Sequence, residues 1–202
     1  MRVYLPATLA MLMALNETGE FTPVSGTGFA LTPALREAYT SGDDDELSEV
    51  AMREAARASL RLLAAEQSDA PAHSDAEQSD APAHSDTGQS DDTGQSDASG
   101  KAAGESALPT RRAVVAADVD DVTLRPDLDA AVVRVGGTIP LSSVASVHVD
   151  GGDAEASVRA ATEVVDAADL GDEDAELVIG DVEDHDLGWY ATQELPFLLE
   201  LL

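Results

Sequence analysis

Apolar positions cluster in short runs along the first 65 residues, and their spacing predicts alternating strands and helices. Residues 2–5 (RVYL) read as a strand, and Pro6 suits the first turn of a helix reaching about Asn16. Residues 28–31 (GFAL), held between Gly and Pro, predict a second strand, and residues 33–39 a short helix. The clearest element spans residues 41–66. Ser41 and Asp44 have capping-box spacing, and four acids, Asp43 to Glu46, stand where a helix N-terminus favours negative charge. Leu47, Ala51, Ala55, Ala58 and Leu62 then recur on one stripe, with Glu49 four residues before Arg53.

The pattern resumes after residue 110. Residues 112–117 (RAVVAA) and 131–135 (AVVRV) predict strands, and residues 140–144 a helical turn feeding a strand at 145–149. Gly151-Gly152-Asp153 opens a helix with Val158, Ala161, Val164 and Ala168 on one face and Gly171 as its stop. Residues 176–179 read as a last strand. Asp186 then caps a final helix, LGWYATQEL, which Pro196 interrupts. Strands separated by helices on both sides imply an α+β or α/β domain: one sheet of about six strands, mixed in direction and covered by helices.

Between these halves the pattern vanishes. AEQSDAPAHSD is written twice from Ala65, and TGQSDDTGQSD continues its beat of Ser-Asp pairs. No apolar residue recurs with the eleven-residue period, so no face can be buried and no supercoil follows. Ser, Asp, Gln, Gly and Pro cannot recover the entropy of ordering. The expectation is a single domain whose halves, residues 1–65 and 108–202, flank a disordered insertion at 66–107. His73 and His84 could chelate a transition metal weakly, but flexible ligands eleven residues apart are not preorganised; a solvated tandem expansion explains them more simply.

Charge sharpens the picture. The 202 residues hold 40 acids against 11 bases, a net −29. Residues 65–110 hold ten acids and one base, so the rest of the chain still stands at −20. A field of that sign repels phosphate backbones and anionic membranes, and favours cations and cationic protein partners. Salt adaptation and a GC-rich genome both produce such a composition. With no cysteine, disulfides and thiolate chemistry are excluded. The apolar run from Val3 to Leu15 is interrupted by Pro6 and has no A-x-A site after it, so it reads as strand then helix rather than a secretion signal. The expected location is the cytoplasm.

The segments MRVYLPAT, LTPALREAY, AARASLRLL, RRAVVAADV, PLSSVASVHV and AADLGDEDAELVI, with DHDLGWYATQEL near the end, resemble an uncharacterised family of small acidic actinobacterial proteins, a domain of unknown function. The resemblance covers nearly all of the chain outside residues 66–107. It implies a small cytosolic domain with a variable central stretch, and no activity, cofactor or catalytic residue.

Candidate chemistry is sparse. Asp118, Asp120 and Asp121 follow a predicted strand, at the sheet edge where ligands collect, and carboxylates there suit Mg²⁺ or another divalent cation; an acid-rich turn explains them more simply, since neither a full metal loop nor a phosphate loop accompanies them. Asp172, Glu173 and Asp174 read as a solvated turn. His185 stands among Glu183, Asp184 and Asp186: a His–Asp184 pair could serve as base and orienter, or the segment could cap a helix. Trp189 and Tyr190 point in different directions, one to anchor the core and one for a partner surface. His148 reads as a strand-surface histidine, on the face opposite Ala145, Val147 and Val149. Nucleotide, hydrolase and zincin motifs are missing, and Gly26-Thr27-Gly28 is too short for a phosphate loop. The leading expectation is therefore a non-catalytic binding or interaction module with a protein partner or a second copy. The alternative is a divalent-metal-dependent enzyme joining the Asp118 cluster to His185.

Overall fold

A computed structural model describes residues 1–69 and 108–202. The central strand β1 (Arg2–Ala7) leads into α1 (Leu9–Thr18). Pro6 belongs to the strand, facing Val114, and not to the helix. β1 meets its other neighbour, β3 (Thr27–Phe29), only through Tyr4 and Phe29, so Pro6 has no ladder bond to forfeit there. Thr8 caps α1 instead, its hydroxyl accepting from the Met11 amide. After β2 (Glu20–Phe21), β3 and the short α2 (Pro33–Ala38), the long α3 runs Asp44–Asp69. Its capping box is Asp43 with Glu46, two residues along from the expected pair. The Asp43 carboxylate accepts from the Asp45 and Glu46 amides, and Glu46 accepts from the Asp43 amide.

The second half supplies β4 (Ala113–Asp118), β5 (Val122–Leu124), β6 (Val132–Val135), β7 (Ile139–Pro140) and β8 (Val144–Asp150). Then come α4 (Glu155–Asp169), α5 (Glu173–Glu183), β9 (Leu187–Ala191) and α6 (Leu195–Glu200). Seven strands form the main sheet in the order β5-β6-β3-β1-β4-β8-β9, and β2 pairs with β7 beside it. The α+β reading holds, and every pairing is antiparallel rather than mixed. The reason is visible at α4 and α5. Residues 176–179, expected as a strand, lie inside α5, which Asp172 caps through the Ala175 amide. Two helices in a hairpin return the chain to the end of β8 it left, so β9 must run back along β8. LGWYA is accordingly this edge strand, not the expected helix.

The core has three parts. On one face of the sheet, Val3, Leu5, Val115, Val147 and Val149 meet Leu12 and Leu15 of α1 and Leu195 of α6. On the other face Val114, Phe29 and Val132 meet Ala51 and Ala55 of α3. From the second half of α3, Leu60 and Leu63 pack beneath Val158, Val165, Ile179 and Val182 of α4 and α5. The stripe of small residues on α3 has a purpose here, because alanines let the helix lie close on the sheet. Gly28 serves a similar close approach: a Cβ there would stand 2.6 Å from a methyl of Val3.

α3 continues to Asp69, past Glu66 where the insertion was expected to begin. Glu66 accepts the Thr8 hydroxyl at 2.6 Å, and Gln67 reaches Thr162. Glu66 and Gln67 also line one groove with Leu108, Pro109 and Thr110, so the chain leaves and re-enters the domain at the same place. The disorder expected through 107, and His73 and His84 with it, lie outside the described residues. Among the described residues no helix is long and apolar enough to cross a membrane.

Candidate functional site

Arg112 immediately precedes β4, and Asp150 ends β8. Antiparallel pairing places Ala113 opposite Val149, which brings these two side chains to the same end of the sheet. Both are buried, at 2% and 0% side-chain exposure. The Asp150 carboxylate accepts from Arg112 Nη2 at 2.8 Å through Oδ1, and from Nε at 2.9 Å and the Arg112 amide at 2.8 Å through Oδ2. Arg112 Nη2 also donates to the His185 carbonyl at 2.8 Å, tying the α5–β9 junction to the sheet. A charged pair this deep is tolerated only because its hydrogen bonds are nearly complete.

Beside it lies a cleft of about 300 Å³ between α3 and the start of β9. Met52 and Ala56 come from α3, Leu187 from β9, Arg112 from the start of β4 and His185 from the α5–β9 junction. The His185 ring is half-buried. Its Nε2 lies 3.3 Å from Ser157 Oγ, and its Nδ1 lies 3.7 Å from the exposed carboxylate of Asp153. That order mimics nucleophile, base and orienter. The Asp153 contact exceeds hydrogen-bonding distance, and neither Ser157 nor Asp153 lines the cleft. We read it as packing of the junction onto α4.

Asp184, expected to orient His185, instead ends α5 in an exposed position, with its amide on the Gly180 carbonyl. Asp186 precedes a strand and caps no helix. Asp118 ends β4 and forms a two-pronged pair with Arg2 at 2.9 Å on each prong, and the Arg2 hydrogen bond holds its carboxyl below the usual range. Asp120 and Asp121 follow in an exposed turn. The Asp118 cluster and His185 therefore sit at opposite ends of β4, roughly 20 Å apart at strand rise. The structure does not bring them together. Among the described residues no group of three or more His, Asp or Glu side chains is arranged to hold a metal ion. Gly26-Thr27-Gly28 is likewise a packing feature: Gly26 has φ +65°, and a Cβ there would strike the Val135 carbonyl.

Trp189 and Tyr190 do point apart, because they alternate along a strand and not around a helix. Tyr190 packs on the core at the face that α1 and α6 cover, while Trp189 is 61% exposed on the opposite face. His148 is directly across from Trp189 and shares its face, opposite Val147 and Val149 as expected. It is less open than a surface histidine: Ser146 Oγ lies 3.1 Å from Nε2, and burial, then the charge of Arg2, lowers its pKa. Ala145 falls at a bulge between the Ala116 and Ala117 pairings.

Sequence reasoning did not find the Arg112–Asp150 pair. An Arg just before one apolar strand and an Asp closing another were its signals, but nothing local says that those strands are neighbours.

The model of a family of unknown function (DUF6912) matches residues 1–93 and 72–199, and the chain belongs to that family. The two matches overlap at residues 72–93, inside the repetitive stretch at 65–97. No curated protein and no solved structure matches the chain.

Proposed function

We propose that this chain is a cytoplasmic, non-catalytic binding module that takes an extended, basic segment of a protein partner along the free edge of β9, with Trp189 as the anchor. The observation that carries this reading is a tryptophan ring, 61% exposed, standing on an uncharged edge strand. The Asp150 amide donates to Arg112 across to β4, so alternate residues Val147 and Val149 of β8 serve β9 through Tyr190 and Gly188. The backbone groups of Leu187, Trp189 and Ala191 consequently face outward. Glu194 takes the Ala191 amide at 2.8 Å, leaving Leu187 and Trp189 for a guest strand.

Edges of this kind normally carry charge or proline against unwanted pairing, and LGWYA has neither. Asp186 and Glu194 flank it, and the chain as a whole is at −29, which favours a basic guest and opposes a second copy of itself. An arginine of the guest can stack on the exposed indole.

Trp189 is the sole tryptophan, so its fluorescence reports directly on the edge. Titration with an extended Arg/Val peptide is expected to shift its emission to the blue, with affinity that falls as salt rises. Trp189→Ala, followed by anisotropy of a labelled peptide, is expected to weaken binding about tenfold or more. Equal binding by Trp189→Ala, or no spectral change at low salt, would remove the basis for this reading.

A further inference from the structure

We infer that the cleft between α3 and β9 is a seat for a small zwitterionic ligand of the α-amino-acid class, with an apolar side chain. This does not rest on the β9 reading: it takes another ligand in another place, and only Asp186 and Leu187 border both.

The inference starts from Arg112. Its Nε and Nη2 donors are committed to Asp150 and to the His185 carbonyl, while Nη1 has no partner among the described residues. Among those residues no buried side-chain nitrogen or oxygen lacks a hydrogen bond, so Nη1 must reach the cleft that Arg112 lines. A guanidinium only 2% exposed, held rigid by a buried carboxylate and bordering the cleft with one uncommitted amino group, is a preorganised donor for a carboxylate. Arg53, exposed at the rim, adds a second cation, whose one ion pair among the described residues is a long one, 3.9 Å to Glu49.

A bare anion is nevertheless a poor fit. Asp150 already neutralises Arg112, and Glu183 and Asp186 also line the cleft. An ammonium beside the ligand carboxylate satisfies these acids and leaves the ligand neutral overall, so the −29 field neither repels it nor traps it elsewhere. Met52, Ala56 and Leu187 give the apolar wall. The volume corresponds to roughly ten waters, which suits a molecule of about ten heavy atoms and no more.

The test is a thermal melt of the full chain with each of leucine, methionine and valine at millimolar concentration, followed by calorimetric titration of any that act. Controls are the same molecules lacking the carboxylate (isoamylamine) or the amine (isocaproate). At least one amino acid is expected to raise the melting temperature while neither control does. Asp186→Asn and Arg53→Gln, both at exposed positions, are each expected to weaken binding about tenfold. The inference is overturned if no amino acid in the panel shifts the melt, if the amine alone acts as well, or if both variants bind as tightly as the parent.

Discussion

Replacing Asp150 with Ala removes the carboxylate that faces the buried Arg112 guanidinium, and the structure sets the size of the penalty. Asp150 accepts three hydrogen bonds, one from the Arg112 amide and two from its side chain, at zero exposure. Loss of one partner of a buried pair costs about 3–5 kcal/mol, because the remaining charge is stranded in a poorly solvated site. For a domain of this size roughly 2–4 °C of melting temperature follows each kcal/mol, so Asp150→Ala should melt about 6–20 °C lower. Removing both charges is gentler. Arg112→Met with Asp150→Ala leaves no stranded ion, though the Arg112 amide and His185 carbonyl still lose partners. The double variant should therefore be more stable than Asp150→Ala alone. Urea melts followed by far-UV circular dichroism are the assay, since the exposed Trp189 is a weak reporter of core packing. A loss under about 1 kcal/mol for Asp150→Ala would refute this account. So would a double variant less stable than that single one.

Ser59 is fully buried, donates to the Ala7 carbonyl at 2.7 Å and accepts from the Ala113 amide at 3.1 Å, so it fastens α3 to β1 and β4. Ser59→Ala should lose about 1–3 kcal/mol in urea melts, and an unchanged midpoint would show that the two backbone groups find other partners. His148 has a lowered pKa in the folded state, so the unfolded chain binds more protons near its ordinary value of about 6.5. Its contribution is present above that pH and lost as pH falls through the folded pKa. His148→Gln should flatten the decline in stability between about pH 7 and pH 5, and an identical slope in both proteins would exclude His148 as its source. Replacing residues 70–107 with a short Gly/Ser linker, keeping Glu66 and Gln67, should leave the melting temperature equal or higher. Shortening that connection reduces closure entropy by about 1–2 kcal/mol, and a fall of more than about 10 °C would show that the segment contributes to the fold.

Much of the local structure was legible. The acids ahead of Leu47 mark the start of α3 to within a residue or two, and Gly171, with φ +88°, stands in the turn after α4 as a helix stop should. Where the reading failed, distant partners decided. AELVI at 175–179 has strand-like composition, yet Ala175, Ile179 and Val182 recur at helical spacing and all three are buried against α4. LGWYA carries helix formers and no turn signal, and becomes a strand because Gly188 and Tyr190 bond β8. Pro6 reads as a helix start until β3 is seen to pair only with Tyr4.

The sites divide in the same way. The sequence by itself determined the composition of the surface, the positions of most elements, the interruption after α3 and the exposed-or-core choice posed by Trp189 and Tyr190. Those features rest on one residue or on neighbours within a few turns, where periodicity, capping and charge act. Only the tertiary structure decided that the sheet is antiparallel, that Asp118 is tied to Arg2 at one end of β4, and that Arg112, Asp150 and His185 meet at the other. Arg112 and Asp150 are 38 residues apart and Arg112 and His185 are 73. Their meeting depends on strand order, which many chains with the same local pattern could satisfy differently.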